Sequence, residues 1–315
     1  MSTTSTFGPT TTADEVAAAF AEEIKDKIVL VTGTSINGIG FDTARVIAKH
    51  AKLVVITGHS EERLKLAEEA IKADVPTANI RRLIVDLGSF ASVRQAAAEV
   101  NSLPDPLHVL INNAAAPIGP FKLTADGLES QMALLAAKTD TYTPRVVFVA
   151  ARAHRMCSGV NFDMLTKPEG AKAVYNTMDV AAQVKCANIL IASELARRGK
   201  SAVNVYSLHP GMIHTNVHQG PGVELRPIYQ AAGIMSPDGR PINGPGRTWK
   251  TIPQGAATTV VAAFDPHLDA FSGAYLDDCA VATDTVAPHS ADPEIAAKLW
   301  VTTEEIIGEK LSFEI

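Results

Sequence analysis

The chain has 315 residues, of which 46% are hydrophobic, and its formal net charge is −6. This size allows one large domain with a full core, and the acidic balance with few aromatic residues argues against a nucleic-acid partner. Three scattered cysteines are too few for a disulfide framework and favour a reducing compartment, so we expect a cytoplasmic protein. No apolar run reaches the roughly 18 residues of a membrane span, and no membrane partner is expected.

The N-terminal segment differs in composition from the rest of the chain. Residues 1–12 are rich in Ser and Thr and lack the basic and apolar regions of a secretory signal, which predicts a disordered arm. Residues 13–315 are predicted to form a single domain. It begins with a short helix, in which Asp14 and Glu15 lie near the N-terminus, where acidic residues suit the helix dipole.

Six apolar runs then alternate with helical patterns. The runs are KIVLVTG, LVVITG, IRRLIVDL, LHVLINNAAA, PRVVFVAA and AVNVYSLHPG. This alternation predicts an α/β fold with a doubly wound parallel sheet, covered by helices on both faces in three αβα layers. Ligands of such sheets bind beyond the carboxyl ends of the strands, so the residues that follow each run are the candidate site residues.

A glycine-rich turn follows the first run. Gly33, Gly38 and Gly40 connect a predicted strand to a predicted helix, which lets the backbone approach a pyrophosphate and directs the helix N-terminus toward its charge. A tight strand-to-helix turn without any ligand is the alternative interpretation.

The turn and three later motifs together resemble a known family. VTGTSINGIG is similar to the TGxxxGxG motif of the short-chain dehydrogenase/reductase family, and the further matches are Asp86-Leu87, Asn112-Asn113-Ala114 and Pro210-Gly211 with Thr215. The resemblance extends over about residues 25 to 310, and the C-terminal part looks like retinol-dehydrogenase-like and fungal NADP-dependent members. It implies a Rossmann-type fold and an NAD(P)(H)-dependent carbonyl reductase or alcohol dehydrogenase acting on a small hydrophobic substrate.

The resemblance also implies a role for each matching residue. Gly33, Gly38, Ile39 and Gly40 would hold the pyrophosphate, Asp86 with Leu87 the adenine, Asn112 and Ala114 the adenosine side, and Pro210, Gly211 and Thr215 the nicotinamide. One departure concerns the turn, in which four residues instead of the usual three separate Gly33 from Gly38. The assignment of individual backbone atoms to phosphates is therefore open.

The end of the second run bears on the choice of cofactor. An acidic residue there would bind a ribose 2′-hydroxyl and repel a 2′-phosphate, whereas this chain has His59, Ser60 and Arg63. We therefore favour NADP(H) over NAD(H). The alternative is that these residues are solvated surface at a helix start, with Ser60 as the N-cap.

The catalytic positions of the resemblance are incomplete. Lys185 is present, but Ala181 stands four residues before it, where the family has a tyrosine, and Ala151 stands at the serine position after the fifth run. An alanine methyl group can neither donate a proton nor bind an oxyanion, so we expect strongly impaired turnover. The two alanines are consistent with a deliberately disabled oxidoreductase, with a natural pseudoenzyme, or with a non-redox protein of this fold that binds a nucleotide or small ligand.

The crossover after the fourth run is shorter than in the family. The segment that follows Met132 lacks most of one helix and the asparagine that the resemblance leads us to expect, through a true deletion or through residues absent from the printed sequence. Family members often dimerise through the helices after the fourth and fifth strands, so a homodimer is possible here. Residues 216–250 are rich in Pro and Gly and are expected to form a substrate lid or a simple surface insertion.

Other reactive side chains give weaker signals. Tyr175 is expected in a loop off the Lys185 face, and His154 with its neighbouring arginines in a solvated loop. Cys186 is expected in the core. His209, His214 and His218 lie close together, but no cysteine or carboxylate cluster completes a ligand set, so no metal site is predicted.

Overall fold

Eight strands of the described chain form one sheet. The computed structural model describes residues 7–116, 120–130, 132, 144–215, 225–244 and 248–310. The strands of the main sheet are β1 (Ile28–Val31), β2 (Leu53–Gly58), β3 (Ile80–Ile84), β4 (Val109–Asn112), β5 (Arg145–Val149), β6 (Asn204–His209), β9 (Tyr275–Asp277) and β10 (Ala280–Val281). Their spatial order is β10-β9-β6-β5-β4-β1-β2-β3. All pairs are parallel except β9 with β10. The doubly wound parallel sheet is therefore confirmed.

Helices cover both faces of this sheet. They are α1 (Ala13–Ala19), α2 (Ala21–Ile24), α3 (Ile39–Ile47), α4 (Glu61–Asp74), α5 (Phe90–Asn101), α6 (Phe162–Thr166), α7 (Pro168–Ala171), α8 (Thr177–Gly199), α9 (Leu225–Ala231), α10 (Ile252–Phe264) and α11 (Pro293–Ile307). Apolar residues of α1, α3, α4 and α10 pack with Val29 and Val31 on one face, and those of α5, α8 and α11 pack with Ile28 and Leu30 on the other. Successive side chains of β1 thus enter different cores, which is why the buried strand is apolar throughout.

The six apolar runs correspond to β1 to β6, whereas β9 and β10 were not expected from the sequence. β9 has only three residues and β10 only two, so neither gives a recognisable strand pattern. β9 nevertheless pairs in parallel with β6 through Ser207, Leu208 and His209. It therefore brings Asp277, at its end, to the same edge of the sheet as the other strand ends.

Part of the N-terminal segment packs against the domain. Phe7 packs edge-on against Phe20, with ring centroids 5.6 Å apart, and Gln254 of α10 donates a hydrogen bond to the Thr10 carbonyl. Thr12 caps α1 in a reciprocal capping box with Glu15. Residues 7–12 are thus ordered against the domain, which contradicts the disordered arm there, and residues 1–6 lie outside the described residues.

The segment expected to form a lid is described in part. Residues 216–224 and 245–247 lie outside the described residues, while α9 and residues 232–244 are described. The two ends of the segment meet in a small parallel sheet of β7 (Met212–Ile213) and β8 (Trp249–Lys250). The shortened crossover falls on residues 133–143, also outside the described ranges. Within the described residues, no helix combines the length and apolarity needed to cross a membrane.

Candidate functional site

The glycine-rich turn joins β1 to α3 at the carboxyl edge of the sheet. Gly33 has a φ of +71°, a conformation that L side chains rarely adopt, and its N–H donates to the Thr57 carbonyl at the end of β2. α3 begins at Ile39 with Gly38 as its N-cap, and no side chain caps it. The first N–H groups of a helix have no partner within the helix, so this turn presents open donors at the positive end of α3. The arrangement suits an anion such as a pyrophosphate.

A residue of the fourth strand end holds this turn in place. The Asn113 amide group donates to the carbonyls of Thr32 and Gly33, at 2.8 and 3.1 Å. A Cβ atom on Gly40 would lie 2.3 Å from the Asn113 Nδ2 and 2.6 Å from the Gly33 carbonyl oxygen. Gly40 is thus required by the packing of the turn itself. The resemblance assigned Asn112 and Ala114 to the cofactor, whereas the residue between them makes these supporting hydrogen bonds.

The residues predicted to bind the adenosine half lie along the same edge. Asp86 is exposed after β3 and its carboxylate accepts the Gly88 N–H at 2.9 Å, while Leu87 packs on the core beside α5. Asn112 ends β4. The Ser60 hydroxyl caps α4 by accepting the Arg63 N–H, so the N-cap interpretation holds for this serine. His59 and Arg63 are both exposed beside it.

The lysine that the sequence predicts to be catalytic lies on α8, one turn after an alanine. The side-chain oxygen of Asn176 caps α8 by accepting the N–H groups of Met178 and Asp179. Lys185 Nζ donates to the Val149 carbonyl at the end of β5, at 3.0 Å. Burial of the amine lowers the pKa of Lys185 to about 8. Ala181 precedes Lys185 by one helical turn, so the α8 face directed at β5 carries the amine but no phenol.

The serine position lies where β5 leaves the sheet. Ala151 has extended backbone before a 3-10 helix (Arg152–Met156), and its carbonyl accepts both the N–H and the Nδ1 of His154. Contrary to the expected solvated loop, His154 is fully buried, with its ring 5.5 Å from that of Tyr275. Its ring nitrogens bridge Ala151 to the Ala287 N–H, which explains the burial of a polar side chain.

The nearest tyrosines in sequence do not replace the missing phenol. Tyr175 ends the 3-10 turn before α8 and donates a hydrogen bond to Glu129 at 3.3 Å, in the predicted loop position. Tyr206 is fully buried in β6 and donates to the Leu268 carbonyl. Cys186 is also fully buried, as expected.

A charged cluster that the sequence did not reveal lines the edge beyond β5, β6 and β9. Arg152 Nε lies 2.6 Å from Asp277, and Lys250 Nζ lies 2.5 Å from Asp278. Burial and the neighbouring cations hold the pKa of His209 down to about 3, so this imidazole is neutral at physiological pH. The sequence did not reveal this cluster because β9 is short and Asp277 is 125 residues from Arg152.

The residues predicted to contact nicotinamide lie directly beside this cluster. Pro210 and Gly211 follow β6, and Gly211 has a φ of +103°. A Cβ atom there would lie 2.6 Å from the Lys250 side chain, so a larger residue would displace that lysine. Thr215 is buried after β7. The predicted site residues between Gly33 and Thr215 thus lie just beyond the carboxyl ends of the strands or in the helices that begin there. His218 lies outside the described residues.

Fold and site together define a doubly wound α/β protein with a dinucleotide-type glycine turn. The model of the short chain dehydrogenase family matches residues 27–138. The WW domain-containing oxidoreductase of Danio rerio is 31% identical over 92% of this chain and 70% of its own length. The short-chain dehydrogenase TIC 32 B, chloroplastic, of Brassica napus is 30% identical over 93% and 92% of the two chains. This chain belongs to the short chain dehydrogenase family.

Solved structures share the fold of this chain. An uncharacterized protein from Mycobacterium paratuberculosis superposes with a TM-score of 0.66 at 25% identity, over 94% of this chain and 98% of that one. A short chain dehydrogenase from Burkholderia cenocepacia, in complex with NADP, gives a TM-score of 0.57 at 22% identity, over 81% and 97% of the two chains. The first likeness covers almost the whole chain, and the second supports the fold.

Proposed function

We propose that this chain binds NADP(H) at the carboxyl edge of the sheet and that it is a short-chain oxidoreductase whose hydride transfer is strongly impaired. The observation that carries the proposal is the α8 face, where Lys185 is held against the Val149 carbonyl while Ala181 takes the position of the proton donor. Cofactor positioning uses residues that this chain retains, whereas proton transfer uses residues that it lacks. The two steps can therefore be tested separately.

The geometry of the turn fits a nicotinamide dinucleotide. Gly33, Gly38 and Gly40 leave the α3 N-terminus without a side-chain cap, so the amides of Ile39 and its neighbours would hold the pyrophosphate. Asp86, Leu87, Asn112 and Ala114 would line the adenosine half, and Pro210, Gly211 and Thr215 the nicotinamide half. Bound there, the cofactor would supply or accept the hydride. Exposed His59 and Arg63, with no carboxylate at the end of β2, support NADP(H) over NAD(H).

The missing groups set the expected loss of activity. General acid catalysis contributes about 10²–10⁴-fold, and stabilisation of the developing oxyanion contributes a comparable factor. Neither alanine can supply these effects. Lys185 would still orient the cofactor ribose, so binding should survive while turnover falls.

The binding half of the proposal is tested by a matched pair of glycine variants. Gly40→Ala places a methyl group 2.3 Å from Asn113 Nδ2, so we expect the turn to shift and NADPH affinity to fall at least on the order of tenfold. Gly170→Ala, whose Cβ would meet nothing within 4 Å, is the control and should leave affinity unchanged. The measurement is titration by NADPH fluorescence. No saturable binding by the unaltered protein would refute the proposal, and equal NADH affinity would refute the NADP(H) preference alone.

The catalytic half is tested by restoring the missing groups. Ala181→Tyr with Ala151→Ser should raise NADPH-dependent reduction of hydrophobic aldehydes or ketones by several orders of magnitude, because Lys185 is already in place. The double variant should exceed the combined effect of the single ones, since catalytic groups that act as a unit are not additive. Stopped-flow NADPH consumption, with affinity checked in each variant, gives the result.

A second candidate function is a pseudoenzyme or non-redox protein that binds a nucleotide or small ligand. The loss of both the serine and the tyrosine beside an intact glycine turn favours it. Saturable NADPH binding with no turnover in the double revertant would support this candidate over the disabled oxidoreductase.

The segment between β7 and β8 supports a hydrophobic substrate. Tyr229 and Trp249 lie edge-on with ring centroids 6.2 Å apart, and the Trp249 indole donates to the Ile234 carbonyl. Ile228 and Ile242 are exposed on the same segment. We propose that the described part of residues 216–250 covers a small hydrophobic carbonyl or alcohol. We also propose that the protein acts in the cytoplasm as a homodimer.

A further inference from the structure

Two thiols and an imidazole come together beneath the loop that carries Ala151. One ligand atom from each of Cys157, Cys186 and His289 lies within 4.8 Å of the other two. Cys157 follows the 3-10 helix after β5, Cys186 is the neighbour of Lys185 in α8, and His289 lies in a 3-10 turn (Pro288–Ser290) before α11. Three segments that are distant in sequence therefore contribute one donor atom each.

We propose that Cys157, Cys186 and His289 form a binding site for a single zinc ion. Two sulfurs and one imidazole nitrogen are donors that zinc prefers over magnesium or calcium, which take oxygen ligands. None of these three residues belongs to the glycine turn or to the positions of the missing serine and tyrosine. The site therefore stands independently of the proposed cofactor.

The distances are close to those that a tetrahedral ion requires. Zinc–sulfur bonds of about 2.3 Å and zinc–nitrogen bonds of about 2.0 Å place neighbouring ligand atoms about 3.5 Å apart. Cys157 Sγ and His289 Nε2 are 3.9 Å apart. No two of the three ligand atoms are more than 4.8 Å apart, and the His154 carbonyl oxygen, 2.9 Å from Nε2, would have to move aside for the ion.

Charge balance also favours a divalent ion at this place. Cys186 is fully buried. Two thiolates and a neutral imidazole around a divalent ion would carry no net charge. The occupied site would thus avoid the large penalty of an isolated buried charge.

The hydrogen bonds around the cluster show what zinc would displace. His289 Nε2 and the Cys157 thiol both approach the His154 carbonyl oxygen, at 2.9 and 3.4 Å. Zinc would take the place of the hydrogen on Nε2 and of both thiol hydrogens. The Nε2 hydrogen would move to Nδ1 of the same ring, and the two thiol protons would pass to solvent.

A fourth buried polar side chain belongs to the residue that follows His289. The Ser290 hydroxyl, directly after His289 in the chain, is fully buried and has no hydrogen-bond partner among the described residues. A buried hydroxyl without a partner is costly, and it could bind a metal-bound water or a ligand sulfur. The ion would thereby connect the loop after β5 to α8, next to Lys185.

Cobalt and zinc titration of the purified, untagged protein tests the site. We expect one ion per chain and, with cobalt, a thiolate-to-metal charge-transfer band. Cys157→Ser, Cys186→Ser and His289→Gln should each weaken binding at least on the order of tenfold. Cys279→Ser is the matched control, because Cys279 is equally buried but contacts Thr258, and it should bind as the unaltered protein does.

Measurements on the unaltered chain keep the test decisive if a variant fails to fold. Zinc should raise the melting temperature by at least about 2 °C, and a chelator should reverse this shift. Mass spectrometry after alkylation without reductant should find both thiols free once zinc is removed. A Cys157–Cys186 disulfide, no ion at micromolar zinc, or binding unchanged in all three ligand variants would each overturn the proposal.

Discussion

Lys185 is an amine held where burial disfavours its charge. Among the described residues its amine donates a hydrogen bond to the Val149 carbonyl, and its pKa falls from 10.5 to about 8 because burial removes water from the ammonium group. A neutral oxygen compensates for this loss only in part. The fold therefore retains a destabilising group at the position where the proposed function needs a cation beside a cofactor ribose.

Replacing this lysine should stabilise the protein. The shift in pKa corresponds to about 3 kcal/mol at most, and the lost hydrogen bond reduces this, so Lys185→Met should raise the free energy of unfolding by about 1–2 kcal/mol at pH 7. Because the unfolded lysine binds its proton up to about pH 10.5 and the folded one only up to about pH 8, the unaltered protein gains stability with rising pH across this window. The advantage of Lys185→Met should therefore fade between pH 8 and 10.5.

Urea denaturation at pH 7 and pH 10 measures this difference. Lys172→Met, on an exposed position before α8, is the control and should change stability little at either pH. If Lys185→Met instead destabilises the protein at pH 7, the hydrogen bond to Val149 outweighs the burial of the charge. NADPH affinity should fall in the same variant.

At the scale of the element, α8 is the helix that positions the candidate site. It runs from Thr177 to Gly199 and carries Ala181, Lys185 and Cys186, and it packs between the sheet and α11. Asn176 caps it with two hydrogen bonds of 3.0 Å, to the N–H groups of Met178 and Asp179. The start of this helix is thus fixed by one side chain only a turn away from Ala181.

Removing that cap should loosen the start of the helix more than its end. Asn176→Ala should lower the free energy of unfolding by about 1 kcal/mol, whereas Asn176→Asp should retain most of the stability, since aspartate also accepts these hydrogen bonds. Chemical denaturation gives the energy, and hydrogen exchange should show faster opening near Ala181 than near Leu195. Equal stability of both variants would show that water replaces the cap without loss.

At the scale of the whole molecule, a network of charged side chains joins α1, α3 and α4, which pack on the same face of the sheet. Arg45 of α3 donates to Asp14 of α1 at 2.6 Å and to Asp74 of α4 at 2.9 Å, and it also pairs with Asp42. Lys49 adds a second cation 2.7 Å from Asp14. The hydrogen bonds from Arg45 and Lys49 hold the pKa of Asp14 down to about 2.

This network predicts an acid dependence of stability. The folded pKa of Asp14 lies below the unfolded value of 3.8, so its contribution is present above pH 4 and is lost as the pH falls through 2. Asp14→Asn should cost about 1 kcal/mol at pH 7, a figure reduced for solvent screening because this carboxylate is 39% exposed. The cost should shrink toward zero near pH 2. Urea midpoints at pH 7, 4 and 2.5 measure it, and exposed Asp284→Asn should show no comparable trend.

The sequence determined the parts of this protein that depend on local pattern. Buried parallel strands are continuously apolar, so β1 to β6 were readable, and the rule that strand ends meet at one edge placed Gly33, Asp86 and Asn112 together. The spacing of four between Ala181 and Lys185 fixed their common helix face. The sequence likewise predicted that Tyr175 lies in a loop and that Cys186 is buried.

Only the tertiary structure decided the contacts between distant segments. β9 is too short to be read, yet its pairing with β6 brings Asp277 to Arg152, 125 residues away in sequence. His154 looked solvated because its neighbours are arginines, but the C-terminal segment buries it. Cys157, Cys186 and His289 likewise come together only in the folded protein. The sequence shows the chemistry of each side chain, but tertiary packing decides which side chains are neighbours.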